Sequence, residues 1–154
     1  MMKRIGRLIV MALCVAVLPL AAEPPDPDWK TDFEAARKIA VKENRRMYVL
    51  FVGSDHCPYS QRFEKDVLKR SKFEKYIRTN NFVLVYIDFP RRKPLPPREQ
   101  AANKALAAYY GVKVFPTGFI LDRNGSPLGS IVGTTSLENY IAKLEEILKK
   151  ASAK

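Results

Sequence analysis

One cysteine stands where it could do chemistry. Cys57 follows an apolar run and a short polar turn, Gly53-Ser54-Asp55-His56, and Pro58 comes directly after it. Proline suits the first position of a helix, because its missing N–H would have no partner there in any case. Cys57 is therefore the expected N-cap, with its sulfur facing the open backbone N–H groups and the positive end of the helix dipole. Both favour a thiolate over a thiol, and a thiolate is the nucleophile of thiol–disulfide exchange. Three neighbouring side chains bear on that anion. His56, if protonated, would lower the thiol pKa, and Asp55 would oppose it. Ser60 either donates a hydrogen bond to the sulfur or caps the helix. Tyr59 is a candidate contact for a substrate peptide, with a plain helix-start aromatic as the alternative. The rival reading is an inert, partly buried cysteine, a common fate of free thiols. A metal site is not expected, since Cys57 and the single histidine fall short of three or four ligands.

The cysteine count sharpens this. Of 154 residues two are cysteines, Cys14 and Cys57. Lys3, Arg4 and Arg7 precede an apolar stretch from Leu8 to Leu18, which is too short to span a bilayer comfortably. Pro19-Leu20-Ala21-Ala22 then offers small residues at a cleavage point. Residues 1–22 read as a signal peptide, with a retained anchor as the rival, and imply a periplasmic or secreted protein. Cys14 leaves with the peptide. Cys57 then has no internal partner, which means an intermolecular disulfide or a free reactive thiol. The charge is strongly basic, 27 Lys and Arg against 16 Asp and Glu. That leaves room for weak contact with an anionic envelope surface. Nucleic acid is not an expected partner, because no aromatic residues interleave with the cations on one face.

The elements along the chain must position Cys57. Residues 23–30 form a proline-rich tether, and residues 31–150 a single domain. Trp29 to Asn44 has helical spacing, with Thr31 and Glu34 as a capping box. Met47 to Val52 is nearly all apolar, as expected of a strand covered on both faces. The segment from Cys57 to Arg70 reads as a helix, and Ser71 with Glu74 as a second capping box opening a shorter one. Phe82 to Ile87 is another buried strand. Pro90 to Arg98 (PRRKPLPPR) reads as a stiff basic loop, with a polyproline ligand as the rival. Glu99 to Tyr110 is a helix closed by Gly111. Gly118 to Asp122 and Leu128 to Val132 are strands joined at Asn124-Gly125. Ser136 to Lys150 is an amphipathic helix. Such an order gives an α/β fold, one mixed four- or five-stranded sheet with helices on both faces.

This order, the cysteine on a strand-to-helix turn and the segment Phe115-Pro116-Thr117 resemble the thioredoxin superfamily from about Phe33 to Leu148. The resemblance implies that Pro116 faces Cys57 across a cis bond from Phe115, and that Phe115 and Pro116 help bind substrate. Gly53-Ser54-Asp55-His56-Cys57 and Asp88-Phe89-Pro90 look more like the extracytoplasmic, DsbH-like branch. Cys57-Pro58-Tyr59-Ser60 is also similar to the CxxS motif of the anterior gradient proteins. Three features depart from the thioredoxin pattern. Ser60 replaces the second active-site cysteine, Phe51 stands where thioredoxins keep a buried acid, and little chain precedes Trp29 to form a first strand. Two functions follow. One is a monothiol oxidoreductase or isomerase, in which Cys57 attacks disulfides of client proteins; release comes from a client thiol or an external thiol such as glutathione, and no resident cofactor is expected. The other is a non-catalytic, chaperone-like module that holds peptide and tethers it through Cys57. A monomer is expected in either case.

Overall fold

In the computed structural model, which describes residues 28–153, every side chain of β1 (Met47–Val52) is buried. Strand alternation sends Tyr48, Leu50 and Val52 to one face and Met47, Val49 and Phe51 to the other. Both faces are covered, which is why the run is apolar throughout. Burying each of the larger side chains contributes about 1.5–3 kcal/mol.

β1 lies inside a four-stranded sheet of order β2-β1-β3-β4. β2 (Val83–Asp88) runs parallel to it, β3 (Thr117–Leu121) antiparallel, and β4 (Pro127–Val132) antiparallel to β3. One face is packed by α2 (Pro58–Phe63), α3 (Ser71–Thr79) and α5 (Leu137–Ser152), through Phe63, Phe73, Tyr140 and Leu144. The other is packed by α1 (Phe33–Glu43) and α4 (Pro97–Tyr109), through Ala36, Ala40 and Leu106. The hydroxyls of Tyr48 and Tyr140 meet at 2.6 Å within the first of these layers. Gly118 leaves the space they occupy, since a Cβ there would collide with both hydroxyls. The thioredoxin-like α/β sheet with helices on both faces is thus present, in its four-stranded form.

Several expected boundaries are corrected. Trp29 and Lys30 are neither helix nor tether. Lys30 bridges Val85 in parallel, donating its N–H to the Leu84 carbonyl (2.9 Å) and accepting from the Tyr86 N–H (2.8 Å). Trp29 is buried edge-on against Tyr48 and Tyr86. A first strand survives as this single bridge. Residues 1–22 and the tether before Asp28 lie outside the described residues. The cap of α1 is Asp32, not Thr31; its carboxylate accepts the Ala35 N–H, the donor within reach three residues on. Ser71 is already helical, and Arg70 precedes it without a side-chain cap bond. The expected single helix from Cys57 to Arg70 changes after Phe63 into a π-helical turn, Glu64–Leu68, closed by Lys69 N–H to Glu64 C=O. That wider turn lets the adjacent Val67 and Leu68 both enter the core. α4 starts at Pro97, two residues before Glu99, because proline is accepted in a first helical turn.

Candidate active site

β1 ends at the carboxyl edge of the sheet, and the chain turns there into α2. The turn closes on itself. The Cys57 N–H donates to the Gly53 carbonyl at 2.9 Å, and the Gly53 N–H donates to Ser60 Oγ at 3.2 Å. Gly53 has no side chain for a steric reason, because a Cβ would strike the His56 ring. Cys57 is the N-cap of α2 in extended conformation, with Pro58 beginning the helix, as the sequence predicts.

The sulfur is half-buried. Burial alone would push its thiol pKa up. The Ser60 hydroxyl and the backbone N–H groups of Ser60 and Tyr59 act against burial, and the net shift is downward. Ser60 is buried and serves both ends of the turn, accepting from Gly53 while stabilising the sulfur. Ser60 does not cap the helix, whose N-cap is Cys57. The neutral thiol directs its hydrogen at the Phe115 carbonyl, 3.6 Å away. The bond from Phe115 to the buried Pro116 is cis, so Cys57, Phe115 and Pro116 come together as the resemblance implies. Thr117 Oγ donates to the Val114 carbonyl and the Gly133 N–H to the Pro116 carbonyl, both at 2.8 Å, which fixes that segment against β4. Tyr59 is 65 % exposed beside the sulfur, and Val114 and Val132 are exposed around Pro116.

His56 and Asp55 are arranged differently from expectation. His56 Nδ1 lies 3.1 Å from Asp55 Oδ1, but the Asp55 carboxylate is turned mainly onto the loop after β2. It accepts the backbone N–H groups of Arg91, Arg92 and Lys93, at distances from 2.6 to 3.3 Å. Burial would raise the Asp55 carboxyl; these donors and His56 overcome it and hold the pKa at about 2. Asp55 is thus a clamp on the basic loop rather than a simple opponent of the thiolate.

Two further groups escaped sequence reasoning. Asp88, at the end of β2, is buried and pushed up by burial, while Ser54 and Phe89 bond its carboxylate. It accepts the Ser54 N–H (3.0 Å), the Ser54 hydroxyl and the Phe89 N–H (2.8 Å). The buried Asn103 of α4 donates to its carbonyl at 3.0 Å. The signal available was a carboxylate closing an otherwise apolar strand. Phe51, in the place of the buried acid of thioredoxins, is fully buried against Phe119 and Tyr110.

Comparison with known proteins fits this geometry. Residues 33–148 match the family model of the thioredoxin-like domain. The chain is 26% identical over 132 residues to the disulfide bond reductase DsbH of Chlamydia pneumoniae, covering 85% of this chain and 77% of that protein. The solved structure of a DsbH oxidoreductase superposes with a TM-score of 0.72 at 23% identity, covering 84% of this chain and 92% of that one. A thioredoxin from Thermus thermophilus superposes at 0.61 and 21% identity, over 80% and 88% of the two chains. The oxidised C-terminal domain of DsbD from Neisseria meningitidis follows at 0.57 and 20%, over 77% and 97%.

Proposed function

The chain belongs to the thioredoxin-like domain family, and from that premise we propose an extracytoplasmic thiol–disulfide oxidoreductase or isomerase that works through Cys57 alone. The observation that carries the reading is the sulfur itself: half-exposed, at a helix start, its pKa lowered by Ser60 and the first backbone amides, and set against Phe115-Pro116.

The Cys57 thiolate attacks one sulfur of a client disulfide. A new S–S bond forms to Cys57, the old one breaks, and the other client sulfur leaves as a thiolate that takes a proton from water. The Ser60 hydroxyl cannot displace sulfur, so a second thiolate from outside the chain must break the mixed disulfide. A thiol of the same client completes an isomerisation. An external thiol such as glutathione completes a reduction and is itself oxidised. The likeness to the disulfide bond reductase DsbH supports redox chemistry. The expected signal peptide supports a periplasmic or secreted location. Among the described residues no helix is long and apolar enough to cross a membrane.

The test is the pH profile of Cys57 alkylation by iodoacetamide. It should inflect below the ordinary thiol value of about 8.5, and Ser60→Ala should move the inflection upward. An inflection at or above that value removes the nucleophile and with it the reading. A second reading, a peptide-holding module, is favoured by the exposed apolar side chains of Tyr59, next to Pro58 after Cys57, and of Val114 and Val132 around Pro116. It requires that Cys57→Ala keep full affinity for unfolded peptide.

A further inference from the structure

A pocket of about 220 Å³ opens between the loop after β2 and the first half of α4. Two of its lining residues are the immediate neighbours of the reactive sulfur. His56 precedes Cys57 in the chain, and the Phe115 carbonyl lies 3.6 Å from Sγ. Phe89 and Phe115, stacked at 4.9 Å, form part of its lining. Arg91 from the loop and Lys104 from α4 bring two cations, and Gln100 and Asn103 bring amides. Among the described residues no carboxylate pairs with Arg91 or Lys104.

The two acids nearby turn their oxygens to neutral donors rather than to these cations. Asp88, the one acidic residue of the lining, has both oxygens bonded to Ser54, one of them also to the Phe89 N–H. Asp55 is committed to three backbone N–H groups of the loop. Those bonds hold Arg91 at the rim, 36 residues from Asp55 in sequence. The pocket is too small for a drug-sized molecule and lined for the end of a small anion. With Ser60 in place of a second cysteine at the site, a second thiol is needed at this very point.

We propose that this pocket receives the carboxylate end of a small anionic thiol, of the glutathione type, which breaks the mixed disulfide at Cys57. The proposal rests on the single-cysteine reading above. The bound thiolate attacks Cys57 Sγ, forms a disulfide with it, and releases the client as a thiolate that takes a proton from water. A second molecule of the thiol then attacks the first one's sulfur, leaving as the symmetrical disulfide and restoring the Cys57 thiolate. Two electrons pass from two thiols to the client disulfide, and nothing else is required.

The test uses the protein with Cys57 converted to its 2-thiopyridine disulfide, whose leaving group is neutral and absorbs light. Glutathione and glutathione diethyl ester are compared as resolving thiols, each rate divided by its rate on a small pyridyl disulfide. The free acid should be faster by roughly five- to tenfold, a preference that fades in high salt. In the double variant Arg91→Gln, Lys104→Gln the preference should fall to within about twofold, whereas Lys149→Gln, on the distant α5, should keep it. Equal rates for acid and ester, or a preference that survives the double variant, overturn the proposal. A charge effect found instead only when acidic client peptides form the mixed disulfide also overturns it, and gives the pocket to the client. Failure of Cys57 to form the adduct at neutral pH sinks the single-cysteine reading and this proposal together. Normal adduct formation without discrimination sinks the pocket alone.

Discussion

The loops after β1 and β2 leave the same edge of the sheet side by side, and they are held in different ways. The first, Gly53 to Cys57, closes through its own backbone and through Ser60 three residues into the helix it starts. The second, Phe89 to Pro96, carries three cations and three prolines, and its tip is fastened from outside by Asp55. Asp88, where that loop begins, in turn takes the N–H and hydroxyl of Ser54 in the first loop. Local bonds thus set the reactive atom, while bonds between chain-distant residues set the charge around it. The two loops meet at Asp55 and at Ser54–Asp88, and how far each depends on the other is open to experiment.

The largest effect is expected from Ser60→Cys. A thiol at that position supplies the missing internal nucleophile, so insulin reduction with an external reductant should rise roughly tenfold or more over the parent. A correctly folded variant with no gain would mean that residue 60 cannot reach a mixed disulfide, and the self-contained picture of the first loop would fail. Next comes Asp88→Ala, which strips the bond partner from the Ser54 N–H, the Ser54 hydroxyl and the Phe89 N–H together. Urea unfolding should show a loss of about 2–3 kcal/mol, with Asp88→Asn losing less. An unchanged midpoint for Asp88→Ala would show that the two loops do not depend on each other there. The smallest is Asp55→Asn, which weakens a half-exposed clamp and should cost about 1 kcal/mol at neutral pH. Because the folded Asp55 pKa is about 2, below the ordinary 3.8, its contribution is present above pH 4 and lost as pH falls through 2. Wild type and Asp55→Asn should therefore converge in stability over that window. Parallel curves down to pH 2 would assign the loop's position to something other than this carboxylate.

The same division explains what could be read from the residues alone. The cap at Cys57, the interior strand Met47 to Val52 and the close of α4 at Gly111 (φ 67°) each depend on neighbours within a turn or on a continuous apolar pattern. Their signals are local, and they were legible. The Phe115-Pro116 segment was legible only through likeness to a family, because Cys57 lies 58 residues before Phe115. The Asp55 clamp and the Ser54–Asp88 pair join residues 34 to 38 apart and leave no periodic trace. Lys30 bridges β2 at one position, too short to show the alternation of a strand. The π-helical turn was hidden because Phe63, Val67 and Leu68 also fit an ordinary helical spacing.

That single bridge at Lys30 also gives the molecule a direction. It runs parallel to β2, whose far terminus, Asp88, borders the thiol site, so the chain reaches Lys30 from the Val83 side. Asp28 accordingly sits by Arg78, 3.5 Å away, at the end of the sheet remote from Cys57. The described chain thus enters the fold at Asp28, at the pole opposite the one that carries the thiol.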